Sequence, residues 1–167
     1  EQARSLGAKV VELGIPAEVA VGEGGYARSL PASWLVQEQD RLREAVAQAD
    51  ILILSALIPG RIAPILVDRQ MVRAMKPGSV IVDIAIDQGG NCDLTEGGKT
   101  IDFDGIHIIG TKNIPGMVPV SSTWMFAKNI YNFLAHIVKN SSLVLDTADE
   151  IVTSALVTRD GKVVHKG

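Results

Sequence analysis

Residues 79–94 of this 167-residue chain read SVIVDIAIDQGGNCDL. The segment begins with an apolar run rich in β-branched residues, and Asp87-Gln88-Gly89-Gly90 ends that run before a helix can start. Short apolar runs that end at glycines are typical of strands buried on both faces of a parallel sheet. We therefore predict that SVIVDIAI is a fully buried strand, with Asp87 at its carboxyl end.

Two other segments repeat this pattern along the chain. The run from Ile51 to Leu54 is apolar throughout and precedes a Pro-Gly pair, and a third strand is predicted from Ile106 to Gly110. Apolar residues at helical spacing predict an amphipathic helix from Ser33, and Asp68 can cap a shorter helix over residues 69–75. This alternation predicts an α/β fold, with a parallel sheet and helices on both of its faces.

The two ends of the chain have different patterns. The first residues are interpreted as the last turn of a helix, closed at Gly7, and a strand is predicted near residues 9–13. Residues 14–32 are rich in glycine and proline and predict a loop that is long for a compact domain. Residues 121–140 have the spacing of a long helix, and an Asp160-Gly161 turn predicts a C-terminal hairpin.

Composition and charge exclude several classes of function. The 16 basic and 19 acidic residues are mixed along the chain, so the basic surface that nucleic acids require is not expected. The longest apolar runs reach roughly half of the ~20 residues that a membrane-spanning helix needs. The single cysteine and the three histidines lack metal-ligand spacing. We expect a cytoplasmic, metal-free protein that neither binds nucleic acid nor inserts into a membrane.

The ends of the three predicted strands supply the candidate binding site. In open α/β sheets, ligands lie outside the carboxyl ends of the parallel strands. The loops at these ends are ALIPG at residues 56–60, AIDQGGN at 85–91 and TKNIPG at 111–116. Each loop taken alone is also consistent with a simple strand-to-helix connection. Three such loops in one half-sheet favour a shared crevice.

Asp87 has two interpretations at this stage. A carboxylate beside glycines at a strand end is reachable by a substrate and suits a general acid or base. In the other interpretation, it only hydrogen-bonds its own turn. Elsewhere, His107 is predicted to be a core residue and Cys92 a structural one, and Asp102 and Asp104 are predicted to be solvated.

The dinucleotide-binding fingerprint has one formal match, GEGGYA at residues 22–27. We reject it as a phosphate loop, because Pro16 and Glu18 make the preceding segment a poor buried strand. Pro31 also follows too soon for the required helix to begin at Gly24. If this is a nucleotide-binding fold, the glycine loop and the ribose-binding acid of its first half are missing from the sequence.

Longer motifs resemble a known family. SALIPGRIAPILV at residues 55–67, MVRAMKPGSVIVDIAIDQGGNC at 71–92 and NIPG at 113–116 resemble, in this order, the alanine dehydrogenase and pyridine nucleotide transhydrogenase superfamily. The resemblance covers nearly the whole chain. GGYARSLPASWLVQEQ at residues 24–39 is similar to the mobile loop of the transhydrogenase α subunit's NAD(H)-binding domain, which alanine dehydrogenases lack.

The resemblance implies a domain organisation. Residues 1–118 would form the second half of a Rossmann-type parallel sheet with flanking helices, within an NAD(H)-binding subdomain with a mobile loop at about residues 14–32. Residues 119–167 would form a long helix and a C-terminal hairpin that belong to an adjoining flavodoxin- or Rossmann-like subdomain.

The resemblance also implies site residues. Residues 56–58 would lie along the adenosine and the pyrophosphate, Tyr26 would close over the bound nucleotide, and Gln88, Gly89 and Asn113 would line the nicotinamide end. The full set of implied cofactor-binding residues is Tyr26, Ala56, Leu57, Ile58, Asp87, Gln88, Gly89, Asn113 and Ile114.

The family's reaction passes a hydride directly between NAD(H) on this domain and NADP(H) on a β-side domain, coupled to proton translocation by a membrane domain. The resemblance therefore implies these partners, a homodimer, and a cytoplasmic position peripheral to the bacterial inner membrane. An alternative is an alanine dehydrogenase-like, NAD-dependent oxidoreductase in which Asp87 transfers a proton. A third hypothesis is a non-catalytic nucleotide-binding scaffold.

The resemblance also predicts how the isolated chain binds nucleotide. The glycine loop, the ribose-binding acid and an Arg, Gln and Asp loop that contacts nicotinamide would lie upstream of Glu1. These 167 residues would then hold half of a site. We expect weak or absent NADH binding by this chain alone, and micromolar affinity in titration calorimetry would contradict that expectation.

Overall fold

The computed structural model describes residues 2–22 and 27–164. The chain divides into two compact units, Glu1–Ile114 and Pro115–Gly167. Among the described residues, no helix is both long and apolar enough to cross a membrane.

A four-stranded sheet forms the centre of the first unit. Its strands are β1 (Ile51–Leu54), β2 (Val80–Asp83), β3 (Thr100–Phe103) and β4 (Ile106–Ile109), in the order β1-β2-β4-β3. The pairs β1/β2 and β2/β4 are parallel, whereas β3 is antiparallel to β4. The antiparallel pair arises because Asp104 and Gly105, with φ of 54° and 80°, make a tight turn between these two strands. The predicted α/β class is confirmed, with one antiparallel edge strand added to the parallel sheet.

One face of this sheet carries the hydrophobic core. Two helices supply residues to it: α3 (Ala32–Gln48), through Val46, and α4 (Arg69–Arg73), through Met71 and Val72. Asp68 caps α4 as predicted, because its carboxylate accepts a hydrogen bond from the Met71 N–H at 2.8 Å. The strands contribute the alternate residues that point to this side, namely Leu54, Ile81, Ile106 and Ile108.

The opposite face of the sheet is largely exposed, so the prediction of helices on both faces was wrong, as were two predictions of burial. Ile51 and Ile53 are 68% and 62% exposed, although β1 was predicted to be buried on both faces. Strand β1 lies at the sheet edge, and its residues alternate between the core and this open face. His107 lies on the same face, exposed rather than in the core, with its Nδ1 3.3 Å from Asp102 Oδ2. Asp102 and Asp104 are solvated, as predicted.

The predicted strand SVIVDIAI is shorter than expected. Strand β2 ends at Asp83, and Ile84–Gln88 forms a 3-10 helix. The reason is local, because the Asp83 carboxylate accepts the Ala85 N–H at 3.1 Å and so caps this helix. Gly89, with φ of 105°, ends it. Asp87 therefore lies on a helical turn and not at the end of a strand.

The segment before α3 differs from the prediction in two places. Helix α1 (Gln2–Ser5) is followed by Gly7 with φ of 82°, which confirms the helix end. Residues 9–13, however, form no strand; all but one are exposed, and no described strand lies beside them to complete their backbone hydrogen bonds. The predicted loop contains helix α2 (Ala17–Ala20) and a bridge between Val21 and Ala27.

The second unit contains the predicted long helix and C-terminal hairpin. Helix α6 (Pro119–Ile137) follows the short α5 (Ile114–Met117), and α7 (Glu150–Ala155) is capped by Asp149. Hydrogen bonds from the Val152 N–H and from His136 lower the pKa of Asp149. Two hairpins complete the unit: β5 with β6 (Val138–Lys139, Ser142–Leu143) and β7 with β8 (Thr158–Arg159, Lys162–Val163).

Candidate functional site

Asn91 joins the loops that follow β1 and β2. Its side-chain Oδ1 accepts the Ala56 N–H at 2.8 Å, and its Nδ2 donates to the carbonyls of Ala56 at 3.0 Å and Pro64 at 2.8 Å. Its own carbonyl accepts the N–H groups of Leu66 and Val67. Asn91 is completely buried, so these contacts hold both ends of the intervening loop against the loop after β2.

The carboxylate of Asp83 holds the backbone of Asn91 in place. Its Oδ2 accepts the N–H groups of Asn91 at 2.8 Å and Cys92 at 3.0 Å, while Oδ1 accepts that of Ala85. The carboxylate is completely buried, and its backbone donors replace the water that it loses on folding. A Cβ on Gly90 would lie 2.8 Å from Asp83 Oδ2, so only glycine leaves room for this arrangement.

Asp87 connects the third loop to the second. Its Oδ2 accepts the Asn113 N–H at 2.9 Å in an exposed position. Asn113 has a positive φ of 51°, which asparagine tolerates better than most residues, so the Asp87 contact supports an uncommon backbone conformation. Asp87 thus bonds to the neighbouring loop, an arrangement that neither sequence-based interpretation included.

Hydrogen bonds therefore link the three strand-end loops to one another, and two cavities open beside the first two loops. The larger, of about 600 Å³, is lined by Ala56, Leu57 and Ile58 together with residues 11–15 and 27–30. The smaller, of about 510 Å³, is lined by Gly60, Arg61, Ile62, Asp87, Gln88 and Gly89. Ile62 lines both. Open α/β sheets bind ligands at this edge, so the two cavities form the candidate site.

The implied site residues divide between these features. Residues 56–58 lie in the larger cavity, and Asp87, Gln88 and Gly89 lie in the smaller. Asn113 contacts Asp87, and Ile114 begins helix α5. Tyr26 lies outside the described residues.

Two polar residues central to this site were not predicted from the sequence. Asp83 and Asn91 are completely buried and hydrogen-bonded on several sides. Asp83 could have been recognised as a charged residue inside an otherwise apolar run. Burying such a charge is costly unless it is paired or hydrogen-bonded. Cys92 is buried, as predicted for a structural residue, and burial raises the pKa of its thiol. Within the described residues, no cluster of three or more His, Cys, Asp or Glu side chains is suited to a metal ion.

Glu38 places a carboxyl group in the lining of the larger cavity, and burial raises the pKa of Glu38. The folded state therefore disfavours the charged form, and stability increases as the pH falls through the raised pKa. Glu38→Gln removes that penalty, so we expect the Tm to rise by about 1–2 °C at pH 7, a small change because solvent screens a half-buried group.

Near pH 4 this gain should disappear, because the wild-type carboxyl is then largely protonated. Thermal melts at both pH values check the prediction, with Glu44→Gln on the exposed side of α3 as the control. Equal shifts at both pH values would contradict it.

Comparisons of the sequence with a family model and with known proteins agree on one family. Residues 1–166 match the model described as Alanine dehydrogenase/PNT, C-terminal domain. The chain is 41% identical over 168 residues to an NAD(P) transhydrogenase subunit alpha protein of Rhodospirillum rubrum, covering 99% of this chain and 44% of that protein. It is 39% identical over 138 residues to the alanine dehydrogenase of Bacillus subtilis, covering 79% of this chain and 36% of that protein.

A solved structure agrees with these relatives. The transhydrogenase from Sinorhizobium meliloti superposes with a TM-score of 0.70 at 38% identity, over 98% of this chain and 42% of that one. The chain thus spans less than half the length of the relatives described here.

Proposed function

This chain belongs to the alanine dehydrogenase/PNT C-terminal domain family, and we propose that it is the NAD(H)-binding component of a proton-translocating NAD(P) transhydrogenase. The observation that carries the proposal is the pair of adjoining cavities that share Ile62 and lie beside the loops after β1 and β2, with the third loop hydrogen-bonded to Asp87. The relatives add support, because transhydrogenase α subunits match almost the whole chain.

The residues present fit a dinucleotide. The larger cavity has mainly aliphatic walls, suited to an adenosine, whereas the smaller contains two glycines and the polar side chains of Asp87 and Gln88. A Cβ on Gly89 would lie 2.9 Å from Ile62 Cγ2, so the backbone there is accessible only because the residue is glycine.

In this proposal the chain binds and orients the cofactor. Residues 56–58 contact the adenosine and the pyrophosphate, and Tyr26 closes over them. Gln88, Gly89 and Asn113 hold the nicotinamide end, with Asp87 and Ile114 beside it. The bound nicotinamide supplies the hydride chemistry. The protein contributes positioning and the exclusion of water, and direct hydride transfer between two nicotinamides needs no protein acid or base.

The proposed partners follow from this reaction. NADP(H) binds to a β-side domain, and a membrane domain couples the exchange to proton translocation. In this proposal the NAD(H)-binding component forms a homodimer. It is peripheral to the bacterial inner membrane and lies at the cytoplasmic surface.

One observation favours a second candidate, an alanine dehydrogenase-like oxidoreductase. Asp87 is exposed in the smaller cavity, where a proton-transfer group would be placed, and alanine dehydrogenases are among the relatives. Two assays of the full-length protein separate the candidates. Reduction of an NAD analogue by NADPH, with the β-side domain added, supports the transhydrogenase. Pyruvate- and ammonia-dependent oxidation of NADH supports the alternative, and NADH binding with neither activity indicates a scaffold.

Asp87→Asn gives a further test of the proposed reaction. The substituted side chain keeps an oxygen that accepts the Asn113 N–H, so the loop is retained. We expect hydride exchange to fall by less than about tenfold, because loss of a general acid or base costs at least about a hundredfold. Steady-state rates at saturating nucleotide measure the effect.

Asp87→Ala serves as the matched variant, since it removes both the charge and the acceptor. It should weaken nucleotide binding more than Asp87→Asn does. A hundredfold loss of rate in Asp87→Asn would instead assign proton transfer to Asp87.

A further inference from the structure

The loop Leu57–Ala63 has a narrow neck that one side chain closes. Ala56 precedes the loop and Pro64 follows it, and Asn91 bonds to both. A third contact, from the Ala63 N–H to the Gln88 carbonyl at 2.8 Å, joins the same two segments. The two ends of the loop are therefore held against the segment that follows β2, by the Asn91 side chain at Ala56 and Pro64 and by the Gln88 carbonyl at Ala63.

The same loop supplies walls of both cavities. Leu57, Ile58 and Ile62 line the larger one, and Gly60, Arg61 and Ile62 line the smaller. Within the loop, Ile58 and Ala63 are buried, whereas the five other residues are exposed. Little side-chain packing fixes the loop, so its position depends mainly on the hydrogen bonds at its neck.

The orientation of the Asn91 amide is itself determined. Asp83 fixes its backbone N–H, and the carbonyl accepts Leu66 and Val67, so the residue cannot shift without breaking contacts on two sides. The side chain then meets one donor, at Ala56, and two acceptors, at Ala56 and Pro64. Asparagine matches this set because its amide carries one carbonyl and two N–H groups.

We infer that Asn91 is a positioning residue for the dinucleotide: it holds the neck closed, so that Leu57–Ala63 is already in its binding conformation before the nucleotide arrives. This inference rests on the proposed function. A loop ordered in advance loses less conformational entropy on binding, and the gain appears as affinity rather than as a faster chemical step.

The test compares Asn91→Asp with Val72→Ala in the full-length protein. Asn91→Asp is nearly isosteric and keeps the acceptor for the Ala56 N–H, but its second oxygen donates to neither carbonyl when the carboxyl is ionised and to only one when it is protonated. Val72 is completely buried in α4, so Val72→Ala lowers the stability without changing the neck. We expect Asn91→Asp to raise the Kd for NADH and the KM by at least about tenfold with kcat nearly unchanged, and Val72→Ala to leave both constants within about twofold.

Native-state hydrogen exchange gives a second measurement that needs no variant. The Ala56 amide should be protected in the free protein and should gain little protection when NADH is added. Fast exchange of this amide without NADH, followed by protection with it, would mean that the nucleotide itself closes the neck, and the inference would be wrong.

The remaining outcomes separate this inference from the proposed function. If the unaltered protein does not bind NADH, both the proposed function and the positioning role of Asn91 are wrong. If the unaltered protein binds NADH normally and the two variants, Asn91→Asp and Val72→Ala, bind it with equal affinity, the positioning role is wrong and the proposed function stands.

Discussion

Asp83→Ala should destabilise the protein by about 3 kcal/mol or more, because it leaves buried backbone N–H groups without acceptors, each at a cost of about 1–3 kcal/mol. Those groups belong to Ala85, Asn91 and Cys92, and the side chain that serves them is completely buried. The vacated space also leaves a cavity beside Gly90, which adds to the loss.

We expect Asp83→Ala to disturb the local structure of the loop after β2 as well as the global stability. Without Asp83, the 3-10 helix Ile84–Gln88 loses its cap and Asn91 loses the contact that orients its backbone. Chemical denaturation of the full-length protein measures the first effect, and hydrogen exchange of residues 84–92 measures the second.

Asp93→Ala is the matched control for Asp83→Ala. Asp93 lies in the same segment but is exposed, so its removal should change the stability by less than about 0.5 kcal/mol. Similar losses in the two variants would show that the Asp83 hydrogen bonds contribute little.

Gly110→Ala should cost about 3 kcal/mol or more, at the upper end of the range for overpacked sites. Gly110 is buried directly after β4, and a Cβ there would lie 2.3 Å from the Glu96 carbonyl oxygen and 2.8 Å from Thr95 Cγ2. The backbone cannot move away easily, because the Gly110 N–H donates to Lys99 and its carbonyl accepts Gly98 at 2.7 Å.

Gly97→Ala tests whether the nature of the neighbour determines this cost. A Cβ on Gly97 would approach Lys112 Cε at 2.5 Å, a similar overlap, but the atom belongs to a flexible side chain. We expect a loss below about 1 kcal/mol for Gly97→Ala, measured by the same denaturation experiment. The prediction for Gly110→Ala is contradicted if the two variants have equal stability.

Several features of the fold could be predicted because their signals lie in adjacent residues. The helical spacing from Ser33 and the Asp68 cap identified α3 and α4 within a few residues. The Asp160-Gly161 turn identified the C-terminal hairpin. Such signals act within one or two turns of the chain, so tertiary contacts are not needed to recognise them.

Burial was predicted less well than secondary structure. Ile53 and His107 occupy strands as expected, yet both are exposed on the open face of the sheet. An apolar run does not reveal whether both of its faces will be covered, since that depends on which elements pack against the sheet.

The candidate site was likewise predictable where its signals are local and unpredictable where they depend on tertiary contacts. The sequence alone determined the strand–loop–helix order, the family, and the placement of glycine-rich loops at strand ends. Only the tertiary structure revealed that Asp83 stops β2, that Asn91 closes a loop 35 residues away, and that Asp87 bonds to Asn113. Local conformation follows from neighbours in the chain, whereas the role of a buried polar side chain depends on the partners that folding brings to it.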